Sequence, residues 1–150
     1  MLTRRFLLGT LTAALFAPVA QAQDIPMFYV TDGAAMAGYD AVSYFNDGVP
    51  VRGQPEYAVV WKGAEWHFAS AENREAFERD PRAFAPQFGG YCAYAMALGE
   101  LSSTDPTLWD VVDGRLYLTH SPQIDAMWHE DQAEYIRMAE KNWPVVLYEK

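Results

Sequence analysis

The sequence predicts a small single α+β domain with two antiparallel β-hairpins, each followed by a serine-capped helix. Three observations predict it. Four short runs rich in aromatic and β-branched residues, Tyr57 to Trp61, Glu65 to Ala69, Leu108 to Val112 and Arg115 to Thr119, pair up around Lys62-Gly63-Ala64 and Asp113-Gly114; such runs around a glycine turn read as hairpins. Ser70 and Ser121 stand where a helix needs an N-cap oxygen. Finally, Gly63 precedes Ser70 by seven residues, Gly114 precedes Ser121 by seven, and Trp66 and Tyr117 take the same place in each segment. The two segments are therefore expected to be copies of one hairpin-helix unit.

Each element follows in order. Arg4 and Arg5 precede an uncharged apolar run from Phe6 to Val19, and Ala20-Gln21-Ala22 supplies small residues for a peptidase. That order predicts a signal peptide over residues 1–22, cleaved before Gln23, leading to a periplasm or the cell exterior with no stable membrane anchor afterwards. Thr3-Arg4-Arg5-Phe6-Leu7-Leu8 also fits a twin-arginine signal. Residues 23–37 show no periodicity and read as an N-terminal arm, leaving residues 38–150 as the domain. Asp40 reads as the N-cap of a short helical turn, which Asn46-Asp47-Gly48 stops, and Pro50 to Pro55 reads as a loop. Alternation puts Trp66 and Phe68 on one strand face, with Glu65 and His67 on the other.

The helix capped by Ser70 runs to about Arg79, where Asp80-Pro81 ends it, because the residue before proline disfavours the α region. Pro86 to Gly90 reads as a loop and Tyr91 to Leu98 as a short helix stopped by Gly99. Pro122 suits the first position of the helix capped by Ser121, which runs to about Glu130. Asp131 with Glu134 reads as a variant capping box for a last helix to about Asn142.

Removal of residues 1–22 leaves 128 residues and takes the formal charge from −9 to −11. So acidic a chain is a poor partner for nucleic acid or an anionic membrane face. Its one cysteine, Cys92, excludes an internal disulfide. If a helix starts near Gly90, Cys92 lies in its first turn, where free amides lower a thiol pKa. The other reading makes it a small buried hydrophobe beside Tyr91, Ala93 and Tyr94. His67 and His120 each end a strand of one unit, so Cys92, His67 and His120 are the candidate metal ligands, for copper or zinc. His129 lies in a polar helix end and reads as surface. The mature chain's methionines are dispersed and read as core filling. Asp40, Glu65 and Glu72 are possible acids or bases, but nothing local pairs them. No nucleophile elbow, phosphate loop or dinucleotide fingerprint is present. A ligand pocket walled by Tyr39, Tyr44, Trp66 and Tyr91, with Asp40, His67 and Cys92 nearby, fits the aromatic content.

Several stretches together resemble the YHS domain family. They are Gly38-Tyr39-Asp40-Ala41-Val42-Ser43-Tyr44-Phe45, then Trp66-His67-Phe68-Ala69-Ser70 with Asn73 and Phe77, then Pro81, Phe84-Ala85-Pro86, and Phe88-Gly89-Gly90-Tyr91-Cys92-Ala93. The resemblance implies an exported single-domain member. It also implies that metal-binding relatives use cysteines where this chain has Ser43 and Ala69, so their ligand set does not transfer here. Three functions remain open: a non-catalytic module binding a small ligand or metal, a thiol-dependent redox or enzyme accessory centred on Cys92, and a structural or partner-binding subunit of a periplasmic assembly.

Overall fold

The computed structural model describes residues 25–148; the predicted signal peptide lies outside them. The chain is mixed α and β, with three two-stranded antiparallel sheets among the described residues. The first pairs β1 (Val30–Thr31) with β2 (Ala34–Ala35) inside the stretch read as an arm. That stretch is no loose arm: Phe28, Ala34, Ala35 and Met36 are buried. Two-residue strands carry too little alternation to be visible in sequence.

After a short helix α1 (Ser43–Asn46), β3 (Gln54–Trp61) turns through Lys62-Gly63 into β4 (Ala64–Phe68) and then α2 (Ala71–Arg79). Helices α3 (Pro81–Phe84) and α4 (Ala93–Ala97) follow. The plan then repeats as β5 (Asp105–Val112), β6 (Arg115–Thr119) and α5 (Pro122–Glu130), before the last helix α6 (Gln132–Asn142). Strand β3 starts inside the stretch read as a loop, and the turn into β4 is two residues rather than three.

The repeat is detailed. Every boundary of β3, β4 and α2 recurs 51 residues later in β5, β6 and α5. The register recurs too: Gln54 pairs Phe68 and Val59 pairs Trp66, while Asp105 pairs Thr119 and Asp110 pairs Tyr117, with an irregularity in the same part of each ladder. Ser70 Oγ accepts the Asn73 N–H and Ser121 Oγ accepts the Ile124 N–H, so each cap satisfies an orphan amide of its helix. Asp131, by contrast, makes no side-chain cap on α6.

Two apolar cores result. One gathers Phe28, Val42, Tyr44, Trp66, Phe68 and Phe77; the other gathers Phe88, Tyr91, Met96, Tyr117 and Trp128. Strand β6 joins them. Its alternation sends Leu116 and Leu118 to the first core and Tyr117 to the second. Among the described residues no helix is long and apolar enough to cross a membrane.

Candidate functional site

Asp40 is fully buried. Its Oδ1 accepts the Val42 N–H at 2.8 Å, which closes the turn before α1; the N-cap of α1 is Val42 and not Asp40, because the helix starts only at Ser43. Its Oδ2 does something sequence could not show, accepting the Ala69 N–H at 2.9 Å and Asn73 Nδ2 at 2.7 Å. One carboxylate thus ties the turn before α1 to the end of β4 and the start of α2.

The second unit builds the same place around sulfur. Cys92 is the N-cap residue of α4 rather than part of its first turn, and it is 1% exposed. The backbone N–H groups of Ala95, Tyr94 and His120 face the thiol. Tyr94 lies two residues after Cys92 as Val42 lies two after Asp40, and His120 follows β6 as Ala69 follows β4. Burial pushes the Cys92 thiol above its ordinary value, more than these amides pull it down. Of the two readings of Cys92, the buried thiol therefore stands and the lowered pKa does not, because desolvation of the thiolate outweighs the amide dipoles.

The units differ at the next position. Asn73, which closes over Asp40, has Ile124 as its counterpart. Ile124 offers no donor, and beside it lies a half-enclosed cleft of about 190 Å³ lined by Cys92, Tyr94, Leu98, Glu100, Ser102 and His120, among others. His120 Nδ1 is held by the hydroxyl and carbonyl of Ser103 at 3.0 and 3.1 Å. No hydrogen bond engages its Nε2 among the described residues. Fixing one ring nitrogen in this way is how a ligating imidazole is oriented.

The structure does not unite the other candidates with Cys92. His67 is in the first unit, its Nε2 2.6 Å from Glu65 Oε1 and its ring against Gly38. Tyr39 lies under the Arg52 guanidinium, 4.7 Å from ring centre to carbon. Trp66 is core, the Tyr44 hydroxyl donates to the Pro106 carbonyl, and the Tyr91 hydroxyl donates to the Pro26 carbonyl. These four aromatics fill or brace the interior, so the pocket expected between them is not formed. An aromatic cleft exists elsewhere, about 360 Å³, lined by Phe28, Trp61, Phe88 and Trp143 with Lys62 and Arg82. Its residues come from four distant parts of the chain, and no local pattern announces it.

His129, read as simple surface, bridges two carboxylates: Nε2 is 3.0 Å from Asp110 Oδ2 and Nδ1 is 3.5 Å from Asp125 Oδ2. This is the one group of three metal-type side chains with mutually close ligand atoms among the described residues. Its needs are met internally, since the Asp125 carbonyl, Trp128 Nε1 and Gln132 Nε2 also bond within it.

Residues 42–88 match the family model described as the YHS domain. No curated protein matches the chain, and no solved structure does.

Proposed function

We propose that this chain, which belongs to the YHS domain family, is exported to the periplasm and acts there as a non-catalytic binding module whose ligand is a thiophilic metal ion at Cys92. The carrying observation is the exchange of Asp40 for Cys92 between two copies of one unit, with space in the second copy where Asn73 closes the first. Amides that support a carboxylate in one copy can support a thiolate in the other. A buried thiol with a raised pKa keeps its proton at neutral pH. A soft cation that displaces the proton neutralises the thiolate and removes the desolvation penalty. Cys92 Sγ and His120 Nε2 are the donors that suit such an ion, copper(I) above the harder divalent cations.

The same facts disfavour a thiol-dependent enzyme. The raised pKa suppresses the nucleophile, and no second cysteine can resolve a disulfide. Titration with copper(I) against a competing chelator tests the reading. It predicts one ion per chain, lost in Cys92→Ser, weakened in His120→Gln and unchanged in His67→Gln. Equal binding by Cys92→Ser refutes it.

A further inference from the structure

We propose that the aromatic cleft between the two units binds a small planar aromatic carboxylate, with Lys62 and Arg82 holding its charge. This site is separate from Cys92 and does not depend on it. The cleft, about 360 Å³, falls in the size range of small-molecule sites, roughly 300–1,000 Å³. Phe28, Trp61, Phe88 and Trp143 give it ring surfaces, and Phe28 and Trp61 stand 5.3 Å apart between centroids. Among the described residues neither Lys62 nor Arg82 forms an ion pair, while Arg74, Arg115 and Arg137 do. A chain of net charge −9 thus presents two cations without carboxylate partners at one concave place with aromatic walls. Such a place concentrates anions and strengthens their pairing as water is displaced.

The internal repeat supplies the second observation. Lys62 occupies the first position of its hairpin turn at φ +49°, and its counterpart Asp113 sits at φ +51°. Aspartate, asparagine and glycine are the residues that turn favours. A lysine held left-handed costs about 1 kcal/mol, and its ammonium lies 5.0 Å over the Trp61 ring beside the cleft. Phe88 does not repeat the pattern: it is left-handed at φ +54°, but so is its counterpart Met36 at φ +53°. At the Lys62 position the copies share a backbone, and the copy beside the cleft carries the residue that lines it. Strain kept at a concave site is a mark of function.

The test is calorimetric titration of the purified protein with 2-naphthoate and with naphthalene-2-carboxamide, its uncharged isostere. The proposal predicts one naphthoate per chain and at least tenfold weaker binding of the carboxamide. Arg82→Gln and Lys62→Asn should each weaken naphthoate at least fivefold, and Cys92→Ser should leave it unchanged. Asparagine suits the turn, so Lys62→Asn should also raise the melting temperature while it lowers affinity. Equal affinities for acid and amide, or undiminished binding in both charge variants, overturn the proposal. A lowered melting temperature in Lys62→Asn overturns the argument from strain.

Discussion

Replacing Asp40 by asparagine keeps its shape and removes one acceptor. In the native structure Oδ1 accepts one donor, Val42 N–H, and Oδ2 accepts two, Ala69 N–H and Asn73 Nδ2. Asparagine has one carbonyl oxygen and one NH2 group. With the oxygen at the Oδ2 place, the NH2 faces the Val42 donor; with it at the Oδ1 place, the NH2 faces two donors. A buried donor without a partner costs about 1–3 kcal/mol, and more where the lost acceptor was charged. The better orientation therefore loses about 2–4 kcal/mol, a large share of the roughly 5–15 kcal/mol that holds a domain of this size. Alanine strands all three donors and should cost more. Urea denaturation followed by tryptophan fluorescence measures both. A loss under about 0.5 kcal/mol for Asp40→Asn, the level of an ordinary surface change, would refute the claim that this carboxylate ties the unit together.

Ser70→Ala and Ser121→Ala remove equivalent caps and should each cost about 1 kcal/mol; urea curves that differ widely would contradict the equivalence of the two units. Cys92 should resist iodoacetamide in the folded protein at pH 8 and react readily once unfolded, since burial both hides the thiol and raises its pKa. The His129 pKa is raised, by the Asp125 carbonyl first and by Asp110 and the Asp125 carboxylate after it. Its protonated form is thus favoured in the folded state. The resulting stability is fully present below the ordinary value of 6.5 and is lost as pH rises through the folded value. The ring is 45% exposed, so screening holds the effect to about 0.5 kcal/mol. His129→Gln should remove that slope from stability measured between pH 5.5 and 8.

Turns and caps were legible because their chemistry is local. Lys62-Gly63, Asp113-Gly114, Ser70 and Ser121 each act within four residues of themselves. The repeat was legible through the same features. Asp40 was half legible: its bond to Val42 is local, whereas Ala69 and Asn73 reach it across 29 and 33 residues. Of the two readings of Cys92 the buried one holds; sequence alone left both open because a helix start is visible in it and the depth of burial above it is not. The stretch before Gly38 hid its pairing in two-residue strands. Trp66 and Tyr44 were assigned to a pocket on aromatic character alone, which does not distinguish a pocket wall from a packed core.

The most direct test of the role given to Cys92 is X-ray absorption at the copper edge of the protein loaded with one equivalent of copper(I). The account predicts a sulfur scatterer in the first shell, absent from the Cys92→Ser variant. A first shell of nitrogen and oxygen alone, as Asp110, Asp125 and His129 would provide, would contradict it.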